Sequence, residues 1–229
     1  MSAEGDHAVF RAATPECRPH LRADFRSPVR AGHRRKSLKG EQLAHYVRQD
    51  FQYRTVFCQI YGLAISKCDR RDDIAFFNEQ IGFILASETH PHHNFARVSG
   101  YSMVELERTQ FLAPTARNYM RHMFHAAHSG TLAELMAALY PCPLTYWEIG
   151  LRLKDEVKPD DSHLFKQWID FYADPAVADI NHRYADLIDC LAERAGKDEL
   201  LRMEDHFMTS CQVEHMFWSM AYSLEDWPV

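Results

Sequence analysis

Apolar and aromatic side chains recur along this chain at intervals of three and four residues, the spacing of one face of an α-helix. Between residues 39 and 66 the pattern runs through Leu43, Tyr46, Val47, Phe51, Val56, Phe57, Ile60, Leu63 and Ala64, and it predicts one long helix. A second helix is expected over 72–90. A third starts at Pro114, a residue well suited to a first helical position, and runs to about 128. A fourth covers 131 to a break at 141–143, and a fifth covers 144–153. After the polar link KDEVKPDD, three more are predicted over 162–172, 175–195 and 198–222, separated by Asp174-Pro175 and Gly196. Long helices joined by short links imply antiparallel packing in a single all-α bundle over residues 38–229, with any pocket lying between helices. Residues 1–37 carry Pro15, Pro19 and Pro28 among many Arg and His, which predicts a loosely ordered arm.

Composition narrows the functional classes. A hydrophobic share of 46% with only 9 Gly in 229 residues supports a helical core over a sheet-and-turn architecture. The net charge of −6 argues against a general nucleic-acid-binding surface. No stretch approaches the roughly 18 apolar residues of a membrane span, and the N-terminus lacks the apolar core of a signal peptide, so a cytoplasmic location is expected. The six cysteines stand singly at 17, 58, 68, 142, 190 and 211, a scatter that suggests free thiols rather than a zinc ribbon or a disulfide framework.

One cysteine stands apart. In PCPLTYWEIG, residues 141–150, Cys142 lies between two prolines that interrupt the helix, leaving it constrained and partly unwound at a helix start, where a thiol's pKa is lowered. Tyr146 is one helical turn away on the same face. Cys142 is thus a candidate nucleophile, or else a small buried apolar residue at a helix break. Asp50 and Tyr53 face the same way on the helix expected over 39–66, where a carboxylate beside a phenol can bind a polar heterocycle. A solvated Asp with a half-buried Tyr is the plainer reading. Glu214 lies in QVEHMFWSMAY, a run that cannot turn every apolar side chain to water. Burial raises the pKa of a carboxylate, the property of a general acid near neutrality, although an interior Glu can equally be capped or salt-bridged. A rival arrangement would take Glu88, His92 and His206 as ligands of a metal-dependent oxidase; without a Glu-x-x-His pair in the expected helices it is weak, and no metal is expected.

The ordered set PTARNYM, SGTLAELMAALYPCPLTYWEIG, QWIDFYADP and EHMFWSMAY resembles the TenA family of thiaminase II and aminopyrimidine aminohydrolases over about residues 40–222. The resemblance implies an all-α helical bundle of the haem-oxygenase-like type, usually a homotetramer, with no cofactor. It implies that Cys142 is the nucleophile and Glu214 its acid/base partner. It places Asp50 and Tyr53 against the aminopyrimidine, with Tyr119, Tyr146 and Tyr172 as further pocket tyrosines and Phe217 as an aromatic near the ring. The implied substrate is an aminopyrimidine or thiamin, with neither nucleic acid nor membrane as partner. A non-catalytic pyrimidine-binding or regulatory protein is the alternative. Two departures stand out: SPVRAGHRRKSL replaces the family's HPF and glycine turn, and Pro143 replaces an aromatic beside the nucleophile. Both bear on substrate preference more than on reaction class.

Overall fold

The computed structural model describes residues 38–86, 89–108 and 111–228, so the expected arm over 1–37 and its missing glycine turn lie outside the described residues. Among those described, every regular element is a helix: α1 (Gly40–Ile65), α2 (Arg71–Ala86), α3 (Thr89–Ser99), α4 (Met103–Glu107), α5 (Pro114–Ser129), α6 (Leu132–Leu139), α7 (Pro141–Val157), α8 (Lys166–Tyr172), α9 (Pro175–Ala192) and α10 (Lys197–Ser223). The long α1 and α10 pack on each other. Around them, α2, α3 and α5 lie against α1, and α5, α6 and α7 lie against α10. Of the stripe read from the sequence, Leu43, Tyr46, Val47, Phe57, Ile60 and Ala64 are buried on α1, Phe51, Val56 and Leu63 are half-buried, and Tyr53 joins the buried face. No described helix is long and apolar enough to cross a membrane.

Helix starts follow local chemistry. Ser102 and Glu105 form a capping box on α4, as do Thr131 and Glu134 on α6, each satisfying N–H groups that the first turn leaves over. Asp174 caps α9 ahead of Pro175. Pro114 opens α5 as expected, and the C-terminal tail supplies the carboxylate that its first turn needs: Thr115 donates to Glu225 through both its N–H, at 3.0 Å, and its hydroxyl, at 3.0 Å.

Two expectations shift. Of the helix expected over 72–90, the described residues up to Ala86 form α2, and those from Thr89 belong to α3, which carries Pro91 as its third residue and runs on to Ser99. The break near 141–143 exists, but it sits at Tyr140. That residue keeps helical dihedrals, φ −63° and ψ −30°, while the prolines remove two donors from the hydrogen-bond ladder. Pro141 and Pro143 are the first and third residues of α7, so Cys142 is helical rather than partly unwound. Ser210 of α10 donates to the Ala138 carbonyl at the end of α6 at 2.6 Å, tying this junction to the core.

Candidate active site

The junction between α6 and α7 opens onto a cleft between helices, lined mostly by aromatic and apolar side chains. Its walls come from α1, α2, α7, α8 and α9. Five of the eight residues singled out in the sequence line it: Asp50, Tyr53, Cys142, Tyr146 and Tyr172. Cys142 is half-buried at the second position of α7, between Pro141 and Pro143.

Behind this wall lies a layer of tilted, closely packed aromatics. Tyr53 meets Tyr119 and Phe217 with ring centroids 5.0 and 5.7 Å apart, and Tyr146 meets Tyr172 at 4.9 Å and Trp218 at 5.1 Å. Tyr119, Phe217 and Glu214 belong to this layer and are not among the residues lining the cleft. Glu214 is 2% exposed on α10. Burial holds the hydroxyls of Tyr46, Tyr53, Tyr119 and Tyr146 well above the ordinary tyrosine pKa of 10.0, and the negative charges of both Glu214 and Cys142 push each of the four further up. Cys142 and Glu214 thus both act on one cluster of phenols that stay protonated in the folded protein near neutral pH.

The structure adds residues that the sequence did not point to as substrate-binding or catalytic. The Tyr46 hydroxyl lies 2.5 Å from that of Tyr146, bracing a cleft wall from α1. His92 Nε2 lies 2.5 Å from Asp50 Oδ2, and Arg54 reaches the other ring nitrogen. Farther along, Tyr61 and Tyr184 join hydroxyls beside Asn181 and Gln80. Tyr46, Asp50, Tyr53, Arg54, Phe57 and Tyr61 all belong to one stripe of α1, so helical spacing from Asp50 would have pointed to Tyr46 and Arg54.

The rival metal arrangement does not assemble among the described residues. His92 engages Asp50 and Arg54, whereas His206 lies next to His122 and His125, with ring centroids 5.3 and 6.2 Å away. Glu88 lies outside the described residues. No group of three His, Cys, Asp or Glu side chains placed to hold a metal ion occurs among those described.

The model of the TENA/THI-4/PQQC family matches residues 28–224. The chain belongs to this family. It is 31% identical over 225 residues to a Staphylococcus aureus protein named aminopyrimidine aminohydrolase, covering 98% of this chain and 96% of that one. Among solved structures it is similar to a TenA family transcription regulator from Silicibacter sp. TM1040, with a TM-score of 0.82, 28% identity and coverage of 94% and 96%. A TenA homologue from P. horikoshii also superposes with a TM-score of 0.82, at 21% identity over 94% of this chain and 98% of the other. The all-α, haem-oxygenase-like architecture expected from the sequence is thus the fold of this family member.

Proposed function

We propose that this protein is an aminopyrimidine aminohydrolase that converts 4-amino-5-aminomethyl-2-methylpyrimidine, and thiamin as a second substrate, to 4-amino-5-hydroxymethyl-2-methylpyrimidine by cysteine-dependent hydrolysis. The observation that carries this reading is the convergence of Cys142, Asp50, Tyr53, Tyr146 and Tyr172 on one cleft. The similarity to aminopyrimidine aminohydrolases over nearly the whole chain supports it.

In this mechanism the ring lies among the cleft tyrosines with its amine edge on Asp50. The Cys142 thiolate adds to the ring carbon next to the one bearing the methylene, and the electron pair moves onto the ring nitrogen. Its return expels the amine from the methylene carbon, protonated by Glu214 as it leaves. Water, losing a proton to Glu214, adds to the resulting exocyclic methylene. Loss of the thiolate restores the aromatic ring. The sum is one water consumed, one ammonia released and Cys142 regenerated. With thiamin the leaving group is the thiazole. The phenols of Tyr53 and Tyr119, protonated near neutral pH, serve as hydrogen-bond donors and aromatic surfaces rather than as bases.

This function would place the protein in thiamin salvage, acting in the cytoplasm as a homotetramer. The deciding experiment follows ammonia and 5-hydroxymethyl pyrimidine from each substrate with a chelator present. Equal amounts of the two products from the aminomethyl compound support the reading. Tight binding of the pyrimidine with no turnover would replace it with a non-catalytic binder.

A further inference from the structure

Three buried side chains beside the cleft form a chain of which the reaction above uses only Asp50. Arg54, His92 and Asp50 are 8%, 3% and 7% exposed. Arg54 Nη1 lies 3.1 Å from His92 Nδ1, and His92 Nε2 lies 2.5 Å from Asp50 Oδ2. A guanidinium has donors only, so Nδ1 of His92 must offer its lone pair. The ring proton then sits on Nε2 and is donated to Asp50. The positive charge that balances the carboxylate comes from Arg54 and not from His92. Arg54 is itself anchored, because its Nη2 donates to the Ile84 carbonyl on α2. The chain joins α1, α2 and α3, and it occupies one oxygen of Asp50. His92 is the contact that Asp50 makes among the described residues, and Asp50 lines the cleft.

We propose that Arg54 and His92 are positioning residues for the substrate: Arg54 selects the Nε2–H tautomer of His92, His92 ties down Oδ2 of Asp50, and Oδ1 is thereby presented as an acceptor to the ring edge of an aminopyrimidine. The proposal rests on the reading that Asp50 binds that edge. It also specifies the form of ligand taken. A carboxylate held this way offers lone pairs only, so an edge that pairs with it through both the exocyclic amine and the adjacent ring nitrogen must bring that nitrogen protonated. The bound ring is then electron-poor, which favours addition of the thiolate. Ligands that lack the amine, or cannot take up the ring proton, lose this pairing.

The tautomer is read directly from the histidine ring nitrogens by nitrogen-15 NMR of the whole protein, with His92 assigned by its absence in His92→Gln. The expected spectrum has Nδ1 bare and Nε2 protonated. A ring protonated on Nδ1 alone or on both nitrogens overturns the relay. In kinetics, His92→Leu is expected to raise KM roughly tenfold, the effect of loosening one hydrogen bond to a charged group, with little change in kcat because the molecules that do bind carry the same ring proton. His92→Gln, whose amide N–H extends toward Asp50, should recover most of the loss. Circular dichroism establishes that each variant is folded. A folded His92→Leu with unchanged KM, or a Gln variant no better than Leu, assigns His92 to packing and refutes the proposal. The two readings fail differently. If Asp50→Asn leaves KM unchanged while His92 shows the expected tautomer, Asp50 is not the substrate contact and the relay loses its function. A wrong tautomer with an Asp50-dependent KM sinks the relay alone.

Discussion

Gly150 sits on α7 one turn beyond Tyr146, where α8 crosses so closely that no side chain fits between the helices. A Cβ at this position would lie 2.7 Å from Tyr172 Cβ, 2.8 Å from the Tyr172 carbonyl carbon and 3.0 Å from the Ala173 nitrogen. Carbon atoms in good contact lie about 3.5–4.0 Å apart, so Gly150→Ala must push the end of α8 back by roughly 1 Å. Two of the three atoms met are backbone, and no rotamer change relieves the clash. Helix propensity opposes the clash, since Ala in a helix interior is better than Gly by about 1 kcal/mol. Overpacking costs about 1–3 kcal/mol, so the net is a loss of up to about 2 kcal/mol. For a domain of this size that lowers Tm by up to about 8 °C. The effect on function should be larger, because Tyr172 is a cleft wall packed against Tyr146 and Trp168 with ring centroids 4.9 and 4.7 Å away. A 1 Å misplacement in a site can cost on the order of 100-fold in rate. A thermal melt and the steady-state kinetics of ammonia release measure the two effects. A variant with unchanged or higher Tm and kcat/KM within about twofold of wild type would refute the claim that this glycine sets the α7–α8 distance.

Glu214→Gln should leave the melt nearly unchanged while lowering kcat by roughly 100- to 10,000-fold, the contribution of a general acid/base; steady-state rates at full occupancy check it, and near wild-type kcat would remove Glu214 from the chemistry. Pro143 lines the cleft beside Cys142, so Pro143→Phe narrows the space there and should lower kcat/KM for thiamin, with its bulky leaving group, more than for the aminomethyl compound. Competition between the two substrates reads the ratio. The buried phenols of Tyr46, Tyr53, Tyr119 and Tyr146 have folded pKa values above the ordinary 10.0, so the stability they contribute is fully present below pH 10 and is lost as pH rises beyond it. Tyrosinate absorbance and helix content followed together should show these phenols ionising only as the protein unfolds, and separate early ionisation would contradict their burial.

The elements most legible in the sequence were those with long apolar stripes. The helix expected over 39–66 differs from α1 by one residue at each end, and the one expected over 198–222 from α10 likewise. The stretch from 89 to 107 was read least well. Its pattern is short and polar: α3 begins THPHH, with a proline in its first turn, and α4 has five residues whose start is marked by the Ser102–Glu105 capping box. Candidate chemistry was legible where one helix carries it, as with Asp50 and Tyr53 on α1. The pairing of Asp50 with His92 joins residues 42 apart, and the bond between Tyr46 and Tyr146 joins residues 100 apart, so no local spacing announces either. Likewise, the hydrophobic neighbours of Glu214 pointed to its burial, but nothing local showed that it would share four phenols with Cys142.

The central claim, that Cys142 is the nucleophile of a hydrolase, is tested most directly by ammonia release from 4-amino-5-aminomethyl-2-methylpyrimidine with wild-type protein and Cys142→Ser under identical conditions. A serine hydroxyl at the start of α7 is isosteric but far harder to ionise than a thiol, so the fold should be retained. The predicted result is a rate lower by at least roughly 1000-fold, in line with the loss of an enzyme's nucleophile. A correctly folded Cys142→Ser protein that releases ammonia at the wild-type rate would contradict the account.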